Sequence, residues 1–197
     1  MKKLAITLFV FSMIINAWSQ TNKLIDDKFS GPINAVFVNT KEAWIYPTKD
    51  IDAALLKDYV SKVFNRFKSD GSILISDSAA LTLNLSDYGL LVYGTMTSNI
   101  YLTHYKTSFP FTIENNYIQA DNTYRDEKTK FITCLPNPQN NKKGMAIFTG
   151  FSNKNIIGIN SIFNGPEDYV ISINYNKDNL SKGNYDKSGI NWKFVKE

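Results

Sequence analysis

The sequence predicts an α/β fold built on a mostly parallel sheet, and three observations predict it. Leu90-Leu91-Val92-Tyr93 and Gly144-Met145-Ala146-Ile147-Phe148-Thr149 are short, continuous apolar runs, the pattern of strands covered on both faces. Asp50 to Lys68 repeats apolar residues every three to four positions, as an amphipathic helix does. Strand and helix then alternate at spacings that suit right-handed parallel crossovers.

In chain order, Gly31-Pro32 marks a turn, and Ala35-Val36-Phe37-Val38 is expected as a short extended piece at the sheet edge. Ala43 to Thr48 reads as the first core strand, ended by Pro47 because proline cannot donate to the ladder. Asp50, or Thr48, is expected to cap the long helix. Its apolar stripe is Ile51, Leu55, Tyr59, Val63 and Phe67, widened by Leu56, Val60 and Phe64, and Asp70-Gly71 stops it. Ser72 to Ser76 is a strand, and Ala79-Ala80-Leu81 suits one helical turn before Leu90 to Tyr93. Gly94 ends that strand, and Ser98 or Asn99 caps a helix over Ile100 to Ser108.

Phe111-Thr112-Ile113 and Tyr117 to Ala120 flank a polar loop and predict an inserted β-hairpin. Lys130 to Leu135 is a strand that meets a hard stop at Pro136-Asn137-Pro138, and Gln139 to Lys143 is an exposed loop. The buried strand ending at Gly150 leads to Ser152 or Asn153 as the cap of a helix through Phe163, which Gly165-Pro166 breaks. Tyr169 to Ile173 is the last clear strand, and Trp192 and Phe194 give the tail a reason to dock. Together these elements suggest a three-layer Rossmann- or flavodoxin-like arrangement.

Lys2 and Lys3, an apolar run to Ile15 and Ala17-Trp18-Ser19 have the layout of a secretory signal peptide. The apolar run is short for a bilayer core, which needs roughly 20 residues. The expected organisation is a signal peptide over 1–19, a flexible leader over 20–28 and one domain over 29–197. No later stretch is long and apolar enough to span a membrane, so the expected location is periplasmic or secreted. The compact signal and the Asn-, Lys- and Ile-rich composition suggest a bacterial source. Removing Lys2 and Lys3 lowers the formal charge from +4 to +2, and the remaining basic residues are scattered, which argues against nucleic acid as a partner. The sole cysteine, Cys134, lies in an apolar run and reads as a buried structural thiol.

Two strands end alike. Gly94-Thr95-Met96-Thr97-Ser98-Asn99 and Gly150-Phe151-Ser152-Asn153 each run from glycine through hydroxyl and amide residues into a helix. Parallel neighbours would bring both turns to the C-terminal edge, where open α/β sheets hold ligands. Gly94, Thr95, Thr97, Ser98, Asn99, Gly150, Ser152 and Asn153 are therefore the candidate ligand-binding residues. Helix capping alone also explains these residue types. Gly150 to Lys154 lacks the second glycine of a nucleophile elbow, and a triad would need the single histidine, His104, to reach Ser152. Asp77 and Asp87 stand near strand ends, where carboxylates cap turns or hold a cation. One His and one Cys do not suggest zinc, and no glycine-rich nucleotide motif is present, so no cofactor is expected. Tyr46, Tyr88, Tyr93, Tyr101, Tyr105, Tyr117 and Tyr124 give a high aromatic load that suits core packing, sugar stacking or a protein partner.

Gly31-Pro32-Ile33-x-Ala35, the run Leu85 to Asn99, Phe109-Pro110 and Pro136-Asn137-Pro138 before the strand ending at Gly150 carry a resemblance. Over Phe29 to Phe194 the chain resembles the small Rossmann-like α/β domain attached to some secreted bacterial peptidases of the prolyl-oligopeptidase, α/β-hydrolase type. In those proteins the catalytic Ser-His-Asp set belongs to the neighbouring hydrolase domain, so the resemblance implies an accessory or free-standing binding role and no catalytic residue here. The expectation is a secreted, non-catalytic domain that binds a small ligand or a partner protein. A hydrolase of esters, peptides or glycans and a structural protein of the cell envelope are the alternatives.

Overall fold

The computed structural model describes residues 28–38, 40–114, 116–162, 165–173, 179–189 and 191–195. The expected signal peptide lies outside them, as does most of the leader. Among the described residues the first element is a 3-10 helix at Ile33–Phe37, followed by β1 (Glu42–Tyr46), α1 (Ala53–Phe67) and β2 (Ile73–Ser76). A single turn, α2 (Asp77–Ala80), leads to β3 (Gly89–Tyr93) and α3 (Ile100–Tyr105). Three short strands follow: β4 (Thr112–Glu114), β5 (Tyr117–Gln119) and β6 (Thr123–Tyr124). Then come β7 (Lys130–Asn137), β8 (Asn140–Gly150), the one-turn α4 (Asn153–Ile156) and β9 (Tyr169–Ser172). The chain closes with β10 (Asn179–Gly183), β11 (Tyr185–Asp186) and β12 (Lys193–Phe194).

Seven strands form one mixed sheet in the order β10-β9-β7-β8-β3-β1-β2. β2, β1, β3 and β8 are mutually parallel, and β7 runs antiparallel to both β8 and β9. β1 has β2 on one side and β3 on the other, so the strand order reverses beside β1. That reversal opens a crevice at the C-terminal strand ends, where ligands of open α/β sheets lie.

Aromatic side chains tie the central strands to α1. Trp44, Tyr93 and Phe148 stack in a row, with centroids 6.0 and 4.5 Å apart, and Phe64 of α1 meets Trp44 edge-on at 5.9 Å. Asn160 links Tyr59 of α1 to Tyr93: it accepts from the Tyr59 hydroxyl at 2.7 Å and donates to the Tyr93 hydroxyl at 3.0 Å. Burial pushes the Tyr93 phenol far above its ordinary range. Phe131 alternates to the other side of the sheet from its neighbour Ile132, the register partner of Phe148, and meets Phe111 edge-on at 4.9 Å. The tail docks as expected. Trp192 and Phe194 join Phe29, Tyr169 and Tyr185 in an aromatic cluster.

Several expectations are corrected. Ile33–Phe37 is a 3-10 helix rather than an extended piece, because Ile33 and Val36, three apart, share its one buried side. Asp50 does not cap α1. It sits at φ 85°, a conformation aspartate tolerates, its carboxylate accepts from Ile51 N at 2.6 Å, and the helix starts three residues later. α1 buries Ala53, Leu56, Val60 and Phe64, whereas Ile51 and Phe67 are 91% and 61% exposed. The hairpin gains a third strand, β6. Pro136 does not stop β7, which continues to Asn137 and turns directly into β8, so the expected loop at Gln139 to Lys143 is largely strand. Cys134 N donates to Asp168 O, so Pro136, two residues on, turns its missing N–H the same way, past the end of the β7–β9 ladder. The helix expected through Phe163 is one turn of α4 and a 3-10 turn at Ile159–Ser161, divided by Gly158 at φ 85°; Phe163 lies outside the described residues.

A buried carboxylate that the sequence did not single out anchors the tail. Asp168 accepts from Tyr185 N at 2.9 Å, and both its oxygens lie 2.8 Å from the Lys187 ammonium. Its carbonyl accepts from Thr133 Oγ1 at 3.2 Å. Among the described residues no helix is long and apolar enough to cross a membrane.

Candidate functional site

β3 and β8 are parallel neighbours with Tyr93 opposite Phe148, so the two glycine turns leave the sheet side by side. Gly94 has φ +135°, and a Cβ there would meet Asn99 Cβ at 2.9 Å, which restricts the position to glycine. The first turn closes on itself. Thr95 N donates to Ser98 Oγ and Ser98 N donates to Thr95 Oγ1, both at 2.9 Å. The turns are then joined by Ser98 Oγ donating to Asn153 Oδ1 at 2.7 Å.

Asn99 caps α3. Its Oδ1 accepts from Leu102 N at 3.1 Å, while its Nδ2 donates to the Tyr93 carbonyl at 2.8 Å. Asp77 reaches the same helix from α2, accepting from Ile100 N at 2.8 Å and from Thr48 Oγ1 at 2.7 Å. Ser152 caps α4 by accepting from Asn155 N at 3.2 Å. Both helices are short, and these side chains take up Ile100 N and Leu102 N at the start of α3 and Asn155 N at the start of α4.

The eight candidate residues therefore separate. Gly94, Ser98, Asn99 and Asn153 are buried in the network that builds the turns, and Ser152 is half-buried as a cap. Thr95, buried in the same network, the buried Gly150 and the exposed Thr97 line an open cleft of about 480 Å³ at the C-terminal edge. The cleft also draws Lys49 from the β1–α1 loop, Lys106 from the end of α3, and Phe109, Phe111, Glu114 and Phe151. It thus spans the ends of β1, β3 and β8, at the point where the strand order reverses. Phe109 and Phe111 stack at 5.1 Å along one wall. Sequence reading missed the lysines and the phenylalanines, because they come from separate connections that only the topology gathers. The Phe109-Pro110-Phe111 break after α3 was their one local signal.

The nucleophilic arrangement is not assembled. Ser152 Oγ is engaged as a cap, and His104 is exposed on α3 with its ring edge-on to Tyr105 at 4.7 Å. No hydrogen bond joins the two. Among the described residues no three His, Cys, Asp or Glu side chains form a metal-binding group. Cys134 is buried, its Sγ 3.3 Å from Gly31 O, and burial pushes the thiol far above its ordinary range. No family model matches the sequence, and no curated protein matches it.

Proposed function

We propose that the chain is a secreted, non-catalytic binding domain that takes a small ligand in the cleft above β1, β3 and β8. One observation carries the reading: residues of two glycine turns, two lysines and three phenylalanines line one cleft at the strand-order reversal. Its volume of about 480 Å³ falls within the range of small-molecule sites, roughly 300–1,000 Å³. The parallel β2-β1-β3-β8 segment and the elements packed on the sheet support a Rossmann-like, three-layer description. A place among the accessory domains of secreted bacterial peptidases belongs to the same proposal and rests on the motifs from Gly31 to Gly150. So does export, which rests on the first 19 residues.

A small-molecule screen read by thermal unfolding tests the cleft, with every hit repeated on Thr97→Trp. Thr97 is exposed at the rim, so tryptophan obstructs the cleft without entering the core. Hits that stabilise the parent chain and lose their effect on Thr97→Trp support the reading. Hits that stabilise both equally place binding elsewhere and overturn it.

A further inference from the structure

The chemistry of the cleft narrows what it takes. Lys49 and Lys106 line it, and neither ammonium has an ion-pair or hydrogen-bond partner among the described residues; nor does the Glu114 carboxylate. Two cations against one anion leave one net positive charge, which matches a monoanion better than a dianion. The lysines are point charges, and no arginine lines the cleft to offer a planar fork. Four amide groups of the two turns are already engaged by side chains and are not offered to a phosphate: Thr95 N by Ser98, Ser98 N by Thr95, Ile100 N by Asp77 and Asn155 N by Ser152.

The rest of the cleft is partly apolar. Phe109 and Phe151 are half-buried and offer aromatic surface of the kind that buries a flat or bulky hydrocarbon group, and the buried Phe111 backs Phe109. Beside Gly150, three buried polar groups have no protein partner: Thr129 Oγ1, Thr149 Oγ1 and Asn153 Nδ2. Thr149 precedes Gly150 in β8, and the Thr129 carbonyl lies 3.0 Å from where a Gly150 Cβ would stand. All three are shut off from solvent and none of these residues lines the cleft, so they lie behind its wall.

We infer that the ligand of this cleft is a monocarboxylate carried on an aromatic or other large apolar group, its carboxylate between Lys49 and Lys106 and its apolar body on the phenylalanines. This rests on the cleft being the binding site. The same chemistry is offered by a free aryl-bearing acid and by the C-terminal residue of a peptide.

Calorimetric titration of the full chain with N-acetylphenylalanine, its neutral amide and phenyl phosphate tests the inference. The acid is expected to bind about tenfold more tightly than the amide, the effect of two partly solvated charge pairs. Lys49→Ala/Lys106→Ala is expected to bring the acid down to the affinity of the amide. Both lysines are exposed and have no ion-pair partner among the described residues, so this double variant keeps its unfolding temperature. A peptide ending in phenylalanine that binds as tightly as the acid assigns the ligand to a protein C-terminus. A peptide that is excluded assigns it to a free acid, and either result supports the carboxylate. Equal binding of acid and amide, tighter binding of phenyl phosphate, or no binding of any probe overturns the inference. The cleft itself falls only if the Thr97→Trp comparison also fails.

Discussion

Asn99→Ala separates the structural share of the first glycine turn from its share in binding. Asn99 is fully buried, and its side chain makes two hydrogen bonds in opposite directions. Loss of the acceptor uncaps α3 at Leu102 N, which costs about 1 kcal/mol. Loss of the donor removes a partner from the buried Tyr93 carbonyl, which costs about 1–2 kcal/mol. The sum is about 2–3 kcal/mol, or a fall of roughly 4–12 °C in unfolding temperature for a domain of this size. Urea unfolding followed by tryptophan fluorescence measures it, since Trp44 is buried against Tyr93. Asn99→Asp is the informative companion. It keeps an acceptor for Leu102 N but sets a carboxylate oxygen against the Tyr93 carbonyl, so at pH 7 it loses at least as much as alanine. An alanine variant within about 0.5 kcal/mol of the parent, the range of an ordinary surface change, would refute the reasoning.

Three further outcomes concern Asp168, Cys134 and Glu167. Asp168→Ala removes the acceptor of the buried Tyr185 N and the carboxylate partner of Lys187, whose ammonium keeps the Ser30 carbonyl, so unfolding free energy falls by about 3 kcal/mol and the fluorescence of Trp192, packed on Tyr185, changes. Cys134 is buried with its thiol pushed up, so an aromatic disulfide reagent at pH 8 labels it only as fast as the chain opens, and denaturant removes the protection. The Lys182 ammonium, 2.6 Å away, holds the Glu167 carboxyl below its ordinary value of 4.5. A depressed folded value stabilises the fold above about pH 4.5, and that share is lost as pH falls through the folded value. Lys182 is 54% exposed, so the share is about 1 kcal/mol or less, and Glu167→Gln flattens that part of an acid titration of stability.

Local pattern revealed the parallel half of the sheet more fully than its antiparallel half. β3 and the core of β8 are continuous apolar runs, and their glycine ends show in the sequence. The two faces of α1 were harder to tell apart. Ile51-Leu55-Tyr59-Val63-Phe67 and Ala53-Leu56-Val60-Phe64 are adjacent apolar rows, and periodicity cannot say which one the sheet takes. The sheet takes the row that begins at Ala53, and Ile51 and Leu55 stay 91% and 55% exposed. β7 and β8 were misread at their junction because Pro136 looks like a terminator. Only the short reach of β9 shows that no ladder bond is lost there. The turns of the candidate site were legible as glycine-to-cap sequences, and so was their position at one edge. Their division into a buried scaffold and an accessible rim was not, because it depends on Ser98 meeting Asn153 across 55 residues. Lys49, Lys106 and Glu114 belong to three different connections and carry no shared sequence pattern.

The central claim is that the C-terminal edge, rather than another surface, takes the ligand. A two-dimensional amide NMR titration of the isotope-labelled chain with its strongest screening hit tests this most directly. The expected result is saturable shifts confined to Lys49, Thr95–Thr97, Thr103, Lys106–Phe109, Phe111–Glu114 and Gly150–Phe151, all on one dissociation constant. A second groove, lined by Tyr169, Ser181, Trp192 and Phe194, serves as the internal comparison. Shifts that gather there and leave Thr97 and Phe151 unmoved would contradict the account.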